Sequence, residues 1–340
     1  MQRITNNSGL SLSLAVWLAH DEYSSGQEEH ADKNLISATA LLKPTRQIVL
    51  APRVPVEERL SDVQDMIPSR LGHAIHDSIE RAWTQGYASS LSRLGYPDSL
   101  IKKIRINPTP DELSHAQSLN QSIVPVYLEQ RAYREITVKG IPIIISGKFD
   151  QIIDGELNDT KTTSAYAWIN RTKISDYQIQ GSIYRWLNPD LITSDVMYIQ
   201  HVFTDWQRSK TLSDKNYPPS RVMEERLNLM SLSETEAWIR KKLTEILHNQ
   251  ELPEDQIIRC TDKELWKTDP VYKYYSDPKK AQERGKSTKN FPNYPAAAMH
   301  LSKQQKGVIV TVPGKVKACG YCPAAPICSQ KNEYDLGDNE

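Results

Sequence analysis

The chain has 340 residues, of which 39% are hydrophobic and 25% charged, and its 42 basic side chains balance 42 acidic ones. That composition fits a soluble globular protein with one large domain or two coupled ones. Nothing approaches 18 consecutive apolar residues, which excludes a membrane-spanning helix, and a net charge of zero gives no overall signal of nucleic acid.

Residues 1–69 read as an N-terminal helical and loop region. Within it, residues 9–19 (GLSLSLAVWLA) predict an amphipathic first helix. A short signal-peptide core is the other reading, but no small-x-small cleavage site follows and charged residues begin at once. Ser37 opens a short helix that ends before Pro44. Residues 70–87 predict a helix, because Ile75, Ile79, Ala82 and Trp83 recur at helical spacing and Gly86 can cap its end. Residues 88–127 are polar and read as helical, broken by Pro108 and Pro110. Strands follow at about 132–138, 141–153 and 156–162, then a helix at 175–187 and a strand at 197–203. This order predicts a mixed α/β core over residues 70–205. Residues 206–258 read as a helical insertion, with Ser233-x-x-Glu236 as a capping box and a stripe of Ala237, Ile239, Leu243, Ile246 and Leu247 behind it. The last region, 259–340, is rich in Pro, Lys and Tyr and irregular until a cysteine cluster.

The sharpest local signal is the hairpin around Asp154-Gly155, a pair that suits the positive φ angles of a type I′ turn. Counting outward, Ile153 faces Glu156, Ile152 faces Leu157, Gln151 faces Asn158 and Asp150 faces Asp159. Two opposed carboxylates repel unless one is protonated or a cation lies between them. Lys161 is two residues beyond Asp159 and shares its face. Two acids and a lysine in so small a space predict a divalent-metal site for phosphate chemistry. On the 70–87 helix, His76 and Glu80 are four apart and share a face, and His76 is a suitable ligand beside carboxylates. His73 lies one turn before His76 and reads as a decoy. Gln180 and Tyr184 share a face of the next helix and suit holding a phosphate or the lysine.

Three of the four cysteines form Cys319-x2-Cys322-x5-Cys328, which is metal spacing rather than disulfide spacing. A reducing, cytoplasmic setting follows. Four thiolates suit a 4Fe-4S cluster or tetrahedral zinc. Residues 259–331 hold 14 Lys+Arg against 5 Asp+Glu, followed by the acids Glu333, Asp335, Asp338 and Glu340. The basic stretch is either a footprint for a phosphate backbone or a solvated lysine-rich surface. Tyr272, Tyr274 and Tyr275 interleave with Lys273, Lys279, Lys280, Arg284, Lys286 and Lys289, a pattern that suits stacking on unpaired bases. Gly147-Lys148-Phe149 lacks the spacing and the Ser/Thr of a nucleotide-binding loop, so no ATP motor is expected.

The order Gly72-x3-His76, Gly147-x2-Asp150, Asp159-x-Lys161-Thr162 and Gln180-x3-Tyr184 resembles the PD-(D/E)XK nuclease superfamily, in its RecB-like branch. The cysteines extend the likeness to the iron–sulfur nucleases of that branch, meaning the AddB-type, CRISPR-associated RecB-like and phage exonucleases. The resemblance implies a restriction-endonuclease-like mixed sheet flanked by helices. It implies Mg²⁺ or Mn²⁺ held by His76, Asp150, Asp159 and the Thr160 carbonyl, with Lys161 as the catalytic cation, Glu80 supporting a ligand or second ion, and Gln180 and Tyr184 positioning Lys161 or the phosphate. It implies a DNA exonuclease in recombination, repair or phage DNA metabolism, acting on ends or single strands, with a helicase or recombination partner. A structure-specific endonuclease and a non-catalytic DNA-binding subunit are the alternatives. In those relatives the first cluster cysteine precedes the core in a Cys-Pro dipeptide. Here that stretch reads Leu42-Lys43-Pro44-Thr45, so Cys260 is the remaining candidate for fourth ligand, and the cluster is expected to close the C-terminal region onto itself.

Overall fold

The structure, a computed structural model, describes residues 3–20 and 34–335. Asp338 and Glu340 of the acidic tail lie outside the described residues. The chain forms two compact units: residues 1–43 with 60–245, and residues 44–59 with 246–340. The architecture is mixed α/β, as expected. No described helix is long and apolar enough to cross a membrane.

The first unit opens with β1 (Arg3–Thr5), α1 (Leu12–Ala19), β2 (Leu35–Ser37) and α2 (Ala38–Leu41). The next helix, α3 (Thr45–Leu50), belongs to the second unit. The first unit resumes with β3 (Leu60–Asp62), the long α4 (Ile67–Arg93), α5 (Asp98–Ile101), β4 (Ile104–Ile106), α6 (Pro110–Ser118) and β5 (Val124–Leu128). Then come β6 (Arg131–Val138), β7 (Ile141–Lys148), β8 (Gln151–Ile153) and β9 (Glu156–Thr163). After them lie α7 (Ala165–Ile169), α8 (Ile174–Leu187), β10 (Val196–Phe203), α9 (Lys210–Ser213), β11 (Val222–Asn228) and α10 (Leu232–Gln250), whose residues from Ile246 on belong to the second unit.

A six-stranded mixed sheet runs β11-β10-β9-β8-β5-β4, and a three-stranded one runs β2-β7-β6. The chain passes between them twice. One passage is Phe149-Asp150, between β7 and β8, where a single long strand was expected. The other is Glu129-Gln130, between β5 and β6. The two passages are tied by backbone bonds, Glu129 N donating to Asp150 O at 2.9 Å and Phe149 N to Gln130 O at 3.2 Å. Phe149 is fully buried, which anchors the bend and leaves Asp150 at its edge.

Several local expectations shift for physical reasons. Helix α4 does not stop at Gly86. Trp83, Tyr87 and Leu91 continue the stripe and pack on buried Ile104, Val126 and Leu128, so the helix runs on to Arg93. Pro110 opens α6 rather than breaking a helix, and Thr109 with Glu112 forms its capping box. The apolar run at Val124–Leu128 is a strand, not part of a helical stretch. Part of the expected helical insertion is the edge strand β11, paired antiparallel to β10. Helix α10 is capped by Ser231 with Glu234, two residues before the expected box, because Glu236 instead accepts from Trp186 Nε1 and Arg240 Nε.

Gly147 is required where α8 crosses β7. A Cβ there would lie 2.7 Å from Leu187 Cδ1 and 2.9 Å from Tyr184 Cδ1. Gly147→Ala is therefore expected to destabilise the protein by about 1–3 kcal/mol, read as a lower urea midpoint. An unchanged midpoint would mean that α8 can move aside.

The second unit holds α3, an antiparallel sheet of β12 (Val271–Tyr275), β13 (Lys289–Phe291) and β14 (Val308–Val312), and the cysteines. With them lie α11 (Pro278–Gln282), α12 (Tyr294–Gln304) and α13 (Ser329–Asp335). The sheet gives regular structure to a region expected to be irregular. Its strands carry β-formers such as Val308-Ile309-Val310-Thr311-Val312.

Candidate active site and cysteine pocket

The hairpin has the expected turn: Asp154 has φ +48° and Gly155 +85°. Its register is also as expected from Ile153–Glu156 to Gln151–Asn158. The ladder stops there. The chain bends at Asp150, so the two aspartates are not a directly opposed ladder pair. The Asp150 carboxylate instead reaches the next free donor of β9, and its Oδ2 accepts from Thr160 N at 2.9 Å.

His76, on α4, points at this bend. Its Nδ1 lies 3.3 Å from Asp150 Oδ2 and 3.5 Å from Glu129 Oε1. The three side chains offer ligand atoms that all lie within 4.8 Å of one another. Burial alone would lower the pKa of His76, but hydrogen bonds to Asp150 and Glu129, and their charges, raise it to about 10. With no ion bound, a protonated His76 would hold together two carboxylates that otherwise repel, and a divalent cation in the pocket would take that place and displace the proton. The second oxygen of Glu129, Oε2, is 2.6 Å from Lys148 Nζ. Around the trio the pocket is lined by Ile79, Glu80, Leu128, Gln151 and Thr160. Gln151 Nε2 is a buried donor with no acceptor among the described residues.

Beneath the pocket, Asp159 is 1% exposed and lies 2.7 Å from Lys161 Nζ. Burial pushes its carboxyl up to about 6, with Lys161 opposing the shift and Asp150 adding to it. Burial would lower the pKa of Lys161, but the charges of Asp159 and Asp150 outweigh it and raise it. The lysine is therefore an ammonium. From α8, the ring of Tyr177 lies 5.6 Å from Lys161 Nζ. Gln180 and Tyr184, on the same helix, are buried and bonded to each other, Gln180 Nε2 donating to the Tyr184 hydroxyl at 2.8 Å. His73 is occupied elsewhere, its Nδ1 3.2 Å from Arg70.

Sequence reasoning thus places His76, Glu80, Asp150, Thr160, Asp159 and Lys161 in one neighbourhood. It missed Glu129 and Tyr177. Glu129 ends the β-former run VPVYL, and recognising that run as a strand would have put it at a strand end. No spacing rule marks Tyr177.

In the second unit, Cys260, Cys319, Cys322 and Cys328 line one cavity with Arg46, Leu265, Ala324 and Ala325. All four are free thiols. The Cys260 thiol is pushed up to about 12, first by burial and then by the charge of Glu264 and the neighbouring cysteines. Four sulfurs in an apolar cavity fit a soft metal, whose charge would reverse that preference and hold them as thiolates. The N-terminal segment joins this pocket after all, through an arginine rather than a cysteine. Arg46, buried on α3, donates from Nε to Cys328 Sγ at 3.3 Å and from its terminal nitrogen to Ile257 O at 2.9 Å. It also pairs with Glu254.

No family model and no curated protein matches the chain. Among solved structures, the chain shares 18% identity with SSO0001 at a TM-score of 0.38, over 74% of this chain and 92% of that one. A phage-related exonuclease from Haemophilus somnus 129PT gives 14% identity and a TM-score of 0.24, over 49% of this chain and 82% of that one.

Proposed function

We propose that the protein is a divalent-metal-dependent deoxyribonuclease that hydrolyses phosphodiester bonds from DNA ends. The observation that carries this reading is the convergence of His76, Glu129 and Asp150 at the sheet break, close enough to the buried Asp159–Lys161 pair for their charges to interact. The motif order in the sequence and the basic surplus of residues 259–331 support DNA as the polymer. In this reading His76, Glu129, Asp150 and the Thr160 carbonyl would hold Mg²⁺ or Mn²⁺; Glu129 takes the place expected for Asp159, whose carboxylate pairs with Lys161, and Glu80 stands by on the pocket wall. The bound ion supplies a Lewis acid for the phosphoryl oxygens and lowers the pKa of a water.

The residues of the chain do the rest. Lys161, as an ammonium, donates to the attacking water or to the charge growing on the phosphate; being protonated, it does not serve as a base. Asp159 keeps Lys161 in place and charged. Tyr177 covers it from α8, while the buried Gln180–Tyr184 pair holds the helix against Gly147. Gln151 Nε2 is a donor available for a phosphate oxygen. Four thiolates in the second unit hold a 4Fe-4S cluster in this reading, and the same set would take zinc.

Linear and covalently closed circular DNA, each incubated with Mg²⁺ or Mn²⁺, test the function. Loss of the linear form alone is the expected outcome. Nicked circles would make the protein an endonuclease, and binding without cleavage would make it a DNA-binding subunit. Glu129→Gln tests the ligand set. Its apparent Mn²⁺ affinity by calorimetry is expected to fall by about 10–100-fold, and an unchanged affinity would remove Glu129 from the site.

A further inference from the structure

Of the three tyrosines in the segment that suggests base stacking, two are buried and Tyr272 is half-buried, edge-on to Tyr294. Tyr274 and Tyr275 are 1% and 4% exposed, and the Tyr274 hydroxyl donates to Lys306 O. The second unit displays a different pair. Trp266 is 48% exposed and Tyr321 is 79% exposed, with ring centroids 6.1 Å apart and planes at 42°.

This pair is built into the fold. Trp266 has φ +49°, a conformation that bulky L residues rarely adopt. Local bonds hold it there: Trp266 N donates to Lys263 O and Lys267 N to Asp262 O. The carbonyl of the preceding residue, Leu265, accepts from both Lys317 N and Ala318 N. Leu265 itself is buried and lines the cysteine cavity, and Tyr321 sits between Cys319 and Cys322. Both rings therefore stand on loops whose inner side closes around the thiols. Exposed lysines frame them, Lys263 and Lys267 beside Trp266, and Lys315 and Lys317 ahead of Tyr321. Three acids lie close in sequence to Trp266: Asp262 pairs with Lys267, Glu264 accepts from Thr261 N and Oγ1, and Asp269 is exposed, against the four lysines. Two open rings in a cationic frame fit a strand that offers π-faces and phosphates together.

We propose that Trp266 and Tyr321 form a stacking platform for unpaired bases of a DNA strand, carried by the cysteine loops of the second unit. The proposal rests on the reading of this protein as an enzyme of DNA. Its test uses the full-length protein without added divalent ion. Fluorescence anisotropy compares an oligothymidylate of about 12 nucleotides with an abasic strand of equal phosphate number. The wild type should prefer the strand with bases. Replacing Trp266 and Tyr321 by alanine should weaken oligothymidylate binding roughly 5- to 150-fold per ring and leave abasic binding unchanged. Phenylalanine at both positions should restore most of the preference. If the double variant loses its metal, Tyr321→Ala alone, at the more exposed ring, gives the same comparison. Equal losses on both strands, or no loss on either, would overturn the platform and leave the rings as a contact for a protein. A wild type that cleaves DNA but shows no preference for bases sinks the platform alone. A base preference that the alanines abolish, in a protein that never cleaves, supports the platform and sinks the nuclease reading.

Discussion

Replacing Lys161 by alanine will lower cleavage of linear DNA by about 10²–10³-fold and leave DNA binding largely intact. The lysine lies close enough to the site to feel the charge of Asp150, and its ammonium is secured by Asp159 at 2.7 Å. Charge developing on a phosphate has no equivalent donor from Gln180 or Tyr184, which are buried and bonded to each other. The substitution also has a pH signature. The Asp159 carboxyl is already raised from 3.8 to about 6, so the folded state holds its proton more tightly than the unfolded chain does. Its ionisation therefore costs stability, a cost absent below about 3.8 and complete above the folded value. Without Lys161 that folded value climbs, so the variant loses more stability at pH 8 than at pH 5. Urea midpoints at the two pH values read this directly. A uniform loss would mean that Lys161 does not hold the charge of Asp159.

On the proposed four-thiolate site, replacing Cys328 by serine is expected to strip most of the bound metal from the purified protein. Structural metal sites in small domains contribute about 10–16 kcal/mol of binding energy that is also folding energy. Losing one of four thiolates removes a large share of it. The sulfur of Cys328 is also the acceptor for Arg46 Nε, so the variant frees α3 from the cysteine loops. The expected readout is loss of bound iron, or of zinc, together with faster proteolysis of the second unit. Brown protein that bleaches on reduction identifies the 4Fe-4S cluster, and colourless protein purified without oxygen identifies zinc. Full metal content in the variant would take Cys328 out of the ligand set.

Local chemistry made part of this site legible. Asp154-Gly155 demands a turn with two positive φ angles, and that turn sets the register as far as Gln151–Asn158. The i,i+4 relation put His76 and Glu80 on one face, and cysteine spacing announced the cavity that the four thiols line. What stayed hidden depends on contacts distant in sequence. Asp150 leaves the ladder because Phe149 is buried where the chain changes sheets, and that bend brings it alongside Glu129, the residue that follows β5. Tyr177 meets Lys161 only through the tertiary placement of α8. Arg46 meets Cys328 across 282 residues, so no window of sequence could pair them. Tyrosines at 274 and 275 looked like a surface because they alternate with lysines, yet β12 is the central strand of its sheet and buries both.

The proposed function requires a metal-dependent cut at a phosphodiester bond, made by the residues at the sheet break. Release of acid-soluble nucleotide from linear DNA in Mn²⁺, by the wild type and by Asp150→Asn, measures it most directly. The wild type should release nucleotide and stop when the ion is chelated, and the variant should release almost none. Release that persists under chelation, or that Asp150→Asn leaves unchanged, would contradict the account.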